Sequence, residues 1–226
     1  MTDTHSGASP KLVVLDMAGT TVADDGLVER AFVRAAERLG AEPDLDYVRR
    51  TMGESKISVF RALFGTEERA QRANTEFEHA YAELVDSGAC APLPGAAEAI
   101  AALREQGRTV ALTTGFSRTT QDAILAALGW QDIADLTLSP ADAGGRGRPY
   151  PDMVLTALLR TRAADSVREI AVAGDTAYDM LSGVRSGATV VAGVLTGAHD
   201  EKTLREAGAT HVLDSVAALP ALLAEF

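Results

Sequence analysis

The sequence predicts an α/β protein, a Rossmann-like parallel sheet core with a small helical cap domain inserted after its first strand. Five short apolar runs rich in Val, Leu, Ile and Ala read as strands buried on both faces. The later runs alternate with helical segments, which argues for a parallel sheet covered on both sides. The stretch after the first run has no strand pattern over about 70 residues, too long for a structureless loop.

Residues 1–10 are small and polar, lack the pattern of an export signal, and are expected to form a disordered tail. Leu12-Val13-Val14-Leu15 is the first strand. Residues 23–91 are expected to be the cap, with helical spacing at 27–39, 46–52, 55–64 and 67–86. Its two linkers, near 22–24 and 89–92, would lie side by side as a hinge. The cap could then close over the carboxyl ends of the strands, where open α/β sheets bind ligands. Residues 11–22 and 92–226 make the core. Its next helix, 94–106, opens on a proline and stops before Gly107. Strand 110–112, helix 119–128 ending at Gly129, and strand 136–138 follow. Helix 152–162 follows Pro151, and strands 170–173 and 190–193 complete the pattern.

A net charge of -11 argues against nucleic acid, whose affinity rests on neutralised phosphates, and against anionic membrane surfaces. No apolar run approaches the length of a membrane span, so a cytoplasmic protein is expected. The single cysteine, Cys90, rules out an internal disulfide and a cysteine-based zinc cage. Three lysines, Lys11, Lys56 and Lys202, stand against eighteen arginines. Each lysine therefore invites a question, because a guanidinium cannot form an imine.

Four segments carry chemistry. Asp16 ends the first apolar run and is followed by Met17-Ala18-Gly19-Thr20-Thr21. A strand-end Asp is often only a turn residue. Here Gly19 permits a tight turn whose backbone amides can face an anion. Asp175 and Asp179 follow a second run, four apart, so they share one face of a helix start. An N-cap and a first-turn acid would give the same spacing. With Asp16 they suit Mg²⁺, held by Asp16, Asp175 and a backbone carbonyl such as that of Ala18. Thr114 and Gly115 end a third strand and could donate a hydroxyl and an N–H to a phosphoryl oxygen. Arg148, in Gly147-Arg148-Pro149-Tyr150-Pro151, could offset the local negative charge.

In this order the segments resemble the four motifs of the haloacid dehalogenase superfamily, across roughly residues 11–226, and the insert sits where that superfamily places a helical cap. Within the superfamily the chain is most similar to phosphonoacetaldehyde hydrolases (phosphonatases) and their near relatives. The similarity lies in Asp16-x-Ala-Gly-Thr-Thr-Val, Thr113-Thr-Gly-Phe116, Gly147-Arg-Pro-Tyr-Pro151 and Gly174-Asp-Thr-x2-Asp-Met180. It extends to Met52-Gly53-x2-Lys56-Ile57 and to Arg61-Ala62-Leu63. The resemblance implies that Asp16 is the nucleophile and that Lys56 forms an imine with the substrate. It also implies that Thr114, Arg148 and Asp179 serve catalysis; Gly53 and Gly115 are candidate substrate contacts, and Met52 either lines the cap face over the substrate or is core. A small phosphonate substrate, Mg²⁺ and a homodimer are implied as well. Val59 stands where the family usually has a His, and Phe116 where it has a Tyr.

The residue types fit that chemistry. Phosphate-ester hydrolases of this superfamily use an acid two residues after the nucleophile to protonate an alkoxide. Such help is worth about two to four orders of magnitude, and Ala18 removes it. A C–P bond needs an electron sink instead, and an iminium on Lys56 supplies one. An ordinary phosphate-monoester hydrolase and a catalytically weak binding relative are the alternatives. A solvated surface lysine is the commonplace role for Lys56.

Overall fold

In the computed structural model, residues 9–226 are described. Most of the expected tail lies outside them. Of its last two residues, Pro10 is buried and its carbonyl accepts an N–H from Arg108, so order begins earlier than the composition suggests.

Six parallel strands form one sheet: β1 (Leu12–Asp16), β2 (Thr109–Thr113), β3 (Leu136–Leu138), β4 (Ile170–Gly174), β5 (Val190–Val194) and β6 (His211–Leu213). Their order is β3-β2-β1-β4-β5-β6. Alternation along β1 divides the core. Val13 and Leu15 join one buried cluster, and Leu12 and Val14 another on the opposite face. Helices α5 (Ala96–Glu105) and α6 (Arg118–Ala127) bury Ile100, Leu103, Ile124 and Leu125 on the first face. Helices α7 (Asp152–Thr161), α8 (Ala177–Ser186) and α9 (Glu201–Glu206) cover the second, through Val154, Met180 and Leu204. Helix α10 (Leu219–Leu223) closes the chain against α5. The α/β Rossmann-like class expected from the sequence is the observed fold.

β6 is the strand that the sequence pattern does not reveal. It is three residues long, lies at the sheet edge and is only half-buried, so it lacks an apolar run.

Between β1 and β2 the chain forms α1 (Leu27–Leu39), α2 (Leu45–Arg50), α3 (Lys56–Phe64) and α4 (Glu67–Asp86). Each end has a local cause. Gly40 and Gly65 adopt the left-handed conformation that terminates α1 and α3, and Thr66 accepts the Arg69 N–H at the start of α4. Their shared interior is aromatic. Phe32 lies 4.8 Å from Phe60 and 4.9 Å from Phe77, between ring centroids. Phe116, from the loop after β2, enters this cluster and packs 4.7 Å from Tyr81. The helical insert and the sheet layer thus share one buried cluster. At the base of the insert the Ala23 N–H donates to the Ala91 carbonyl at 2.9 Å, so the two connecting segments lie side by side. No helix among the described residues is long and apolar enough to cross a membrane.

Candidate active site

Parallel pairing brings the strand ends together. Asp16, the last residue of β1, is in register with Thr113, the last of β2, while Leu15 pairs Ala173 of β4. Asp175 follows directly after β4. The loop before α7 sends Arg148 into the same place, and all of these side chains are buried.

Arg148 organises the carboxylates. Its Nη2 lies 2.6 Å from Asp16 Oδ1 and its Nε 2.7 Å from Asp179 Oδ1. Nη2 also donates to the Thr113 hydroxyl at 2.7 Å. Burial works against the guanidinium charge, and Asp16 and Asp179 more than restore it, so Arg148 is held cationic. Asp179 sits behind the site. Its Oδ2 accepts the Thr176 N–H at 3.1 Å and the Thr176 hydroxyl at 2.5 Å. This is a capping box at the start of α8 with Thr176 as N-cap, so Asp175 is not the cap. Asp175 instead accepts the Thr20 hydroxyl at 3.2 Å and the Ala198 N–H at 2.8 Å.

The three aspartates each place a carboxylate oxygen within 4.8 Å of the others. Burial pushes Asp16 well above the usual carboxylate range; Arg148 opposes this, while Asp179 and Asp175 add to it. Burial and the neighbouring Asp179 raise Asp175 to about 7. One guanidinium is thus shared by two of three crowded carboxylates, and Asp175 has none. This donor set could hold a divalent cation, whose charge would offset the crowded carboxylates.

A cavity of about 440 Å³ opens over these groups. From the core it is lined by Asp16, Ala18, Thr114, Gly115, Arg148 and Asp175, and from the helical insert by Met52, Gly53 and Lys56. Of the candidate catalytic, substrate and metal residues read from the sequence, all reach the cavity wall except Asp179, which contacts it through Arg148. Thr114 Oγ1 accepts the Phe116 N–H at 3.2 Å, leaving its own proton free to donate.

Lys56 is the first residue of α3 and is 6% exposed. Its Nζ lies 5.6 Å from the Phe116 ring centre. Burial lowers its pKa to about 8, against the pull of Asp24 and Asp16, with Arg148 adding to the fall. At pH 7 the neutral amine then makes up about a tenth of the population, against under about a thousandth for an ordinary lysine.

The turn at residues 53–55 presses against the core. The Lys56 N–H donates to the Gly115 carbonyl at 3.2 Å. A Cβ on Gly115 would sit 2.8 Å from the Glu54 carbonyl, and one on Gly147 would meet Ser55 at 2.7 Å. Gly53, at φ +89°, would drive a Cβ into the Thr176 side chain.

Sequence reasoning missed two contributors. The loop after β5 brings Thr196, Gly197 and Ala198 to the cavity. A Cβ at Gly197 would collide with the Asp175 carboxylate, so this glycine admits the Ala198 N–H to it. A Thr-Gly pair at the end of a strand neighbouring β4 was the available signal. Asp24, in the first linker, also lines the cavity, and nothing local to it marks a site.

The fold, with a buried carboxylate cluster at the ends of its central strands, is that of a hydrolase of the α/β class. A haloacid dehalogenase-like hydrolase family model matches residues 10–187, and the chain belongs to that family. It is 31% identical to a protein described as probable phosphatase IndB from Dickeya dadantii, over 90% of this chain and 89% of that one. It is 32% identical to a phosphonoacetaldehyde hydrolase from Bacillus cereus, over 83% of this chain and 76% of that one. Among solved structures, a hydrolase from Pseudomonas syringae superposes with a TM-score of 0.85 at 25% identity, covering 96% of this chain and 99% of that one. A phosphonoacetaldehyde hydrolase-like protein from Oleispira antarctica has the same fold, with a TM-score of 0.85 at 24% identity, covering 100% of this chain and 95% of that one.

Proposed function

We propose that the chain hydrolyses the C–P bond of phosphonoacetaldehyde or a related phosphonate, through an imine on Lys56 and a phosphoryl group on Asp16. The observation that carries this reading is a buried lysine with a lowered pKa in the cavity that holds Asp16, where Ala18 leaves no acid. The Lys56 amine attacks the aldehyde carbon, and loss of water leaves an iminium. Asp16, through the carboxylate oxygen that Arg148 does not hold, attacks phosphorus. The C–P electrons flow into the iminium and give an enamine. Protonation and hydrolysis release acetaldehyde and free Lys56, while water cleaves the aspartyl-phosphate. Arg148 aims Asp16 through Oδ1, and Asp179 anchors Arg148. The Thr114 hydroxyl and the Gly115 N–H are placed to donate to phosphoryl oxygens.

Asp16, Asp175 and the Ala18 carbonyl would hold Mg²⁺. When bound, it supplies positive charge to oxygens that gain electrons during phosphoryl transfer. Chelation is expected to abolish phosphate release, and Mg²⁺ to restore it. Asp175→Asn should need at least about tenfold more Mg²⁺ for half-maximal rate. Its unchanged Mg²⁺ requirement would remove Asp175 from the metal site.

In this reading residues 23–91 act as a cap that brings Lys56 to Asp16, and the glycine contacts at 53, 115 and 147 permit its close seating. Gly53→Ala would cost about 1–2 kcal/mol from the left-handed backbone alone. It would also lift the turn off Thr176 and Lys56 with it. Turnover should fall at least about tenfold while the melting temperature drops only a few degrees. Unchanged kcat/KM would show that this seating is not required.

The similarity to probable phosphatase IndB favours a phosphate-monoester hydrolase as the second reading. The separating experiment is phosphate release from phosphonoacetaldehyde and from simple phosphate monoesters. A clear preference for the phosphonate supports the first reading, and a preference for the ester supports the second.

A further inference from the structure

An amine that condenses with a carbonyl must lose a proton and later return one, and α3 offers no group for this. One turn beyond Lys56, Val59 and Phe60 are buried in the aromatic interior. Four charged groups face Lys56 from other elements: Asp24 before α1, Asp16 at the end of β1, Arg148 before α7, and Glu54 in the adjoining turn. Asp16 is held by Arg148. Arg148 has no proton to exchange near neutral pH. Glu54 does not line the cavity, whereas Asp24 does.

We propose that Asp24 is the proton carrier for Lys56 in imine formation, a role that rests on the imine reading above. Its position is fixed by the helix it starts. Asp24 Oδ1 accepts the Val28 N–H at 3.2 Å, and its carbonyl accepts the Leu27 N–H at 2.6 Å. Among the described residues its Oδ2 has no hydrogen-bond partner. Burial raises its pKa, Glu29 and Asp25 add to this, and the Val28 N–H and Lys56 oppose it. A carboxyl so placed holds a proton more readily than a surface aspartate. Tyr81, whose buried hydroxyl has no partner among the described residues, also has Asp24 as its leading charged neighbour.

The proton count closes. The Lys56 ammonium gives one proton to Asp24. The amine attacks the carbonyl carbon, the C–O π electrons move to oxygen, and a proton passes from nitrogen to that oxygen. The neutral carbinolamine results. Asp24 then returns its proton to the hydroxyl, the C–O bond breaks, water leaves, and the nitrogen lone pair closes the iminium. Both side chains line one cavity, so a water or the substrate oxygen would carry the proton between them.

The test is the rate of borohydride-trapped Lys56 adduct with phosphonoacetaldehyde, followed by peptide mass across pH 6–10 (about the range in which a lysine at about 8 titrates). Parent enzyme, Asp24→Asn and Asp24→Glu are compared. Asparagine keeps an oxygen to cap α1 but can neither take up nor release a proton at neutral pH. In the parent the rate should rise through about pH 8. Removing the Asp24 charge lowers the Lys56 pKa, so in Asp24→Asn the rise should move to lower pH. Its plateau should fall about 10²-fold, and Asp24→Glu should recover part of it. A shifted rise with an unchanged plateau would mean that Asp24 acts only as a charge, and would overturn the proposal. If Asp24→Asn melts below assay temperature, Asp24→Ser, another capping residue without a base, gives the same readout. A parent that forms no Lys56 adduct would sink the imine reading itself, whereas a parent that does, beside an equally fast variant, would sink only the role of Asp24.

Discussion

Lys56→Arg is expected to lower phosphonoacetaldehyde cleavage by at least about 10³-fold, a loss of about 4 kcal/mol of transition-state stabilisation. The fold should survive, because arginine keeps the positive charge facing Asp24 and Asp16. What is lost is the neutral amine. A guanidinium stays protonated at every working pH and cannot make an imine. Activity on any phosphate monoester the parent turns over should change far less, since the imine has no part in breaking a P–O bond. Ala18→Asp should not restore C–P cleavage in this variant. It places a carboxylic acid beside the leaving oxygen of an ester, so any new activity should be weak ester hydrolysis. Phosphate release from both substrates, measured for parent and variants, gives the answer. Retention of most C–P cleavage by Lys56→Arg would leave an ester-type mechanism with another proton donor as the better account.

Asp16→Asn is expected to remove both activities, again by at least about 10³-fold. An amide is a poor nucleophile, and in both proposed reactions the phosphoryl group would pass to this position. Arg148 keeps its contacts to Asp179 and Thr113, so the site should stay assembled. The variant should nevertheless still form the imine, because that step needs Lys56 and a carbonyl but not Asp16. Borohydride should therefore label Asp16→Asn on Lys56 while phosphate release is lost. Lys56→Arg should lose both signals. If Asp16→Asn released phosphate at the parent rate, the nucleophile would lie elsewhere.

Much of this arrangement is legible in the sequence for a physical reason. Strands buried on both faces must be continuous apolar runs, as residues 12–15 of β1 and 170–173 of β4 are. A polar residue at the end of such a run falls at the carboxyl edge of the sheet. Asp16, Thr114 and Asp175 could be placed there without knowing any contact. Helix ends at Gly40, Gly65 and Gly187 are equally local. What stayed hidden is tertiary. β6 is too short and too exposed to carry a period. Asp24 looks like one more acid in an acidic chain until α1 and α3 bring it to the cavity. Gly53, Gly115 and Gly147 belong to different segments, and the need for each follows from how closely the 53–55 turn approaches the core. Lys56 is intermediate. Its motif marks it in the sequence, but its burial and the consequent fall in pKa come from the aromatic interior around Phe116.

The most direct test of the central claim is covalent. The parent enzyme is mixed with phosphonoacetaldehyde, reduced with borohydride, digested and mapped by mass spectrometry. The account predicts one major adduct, on the peptide containing Lys56, with activity lost in proportion to labelling. Rapid phosphate release from phosphonoacetaldehyde with no label on Lys56, or with label spread over Lys11 and Lys202 alone, would contradict it.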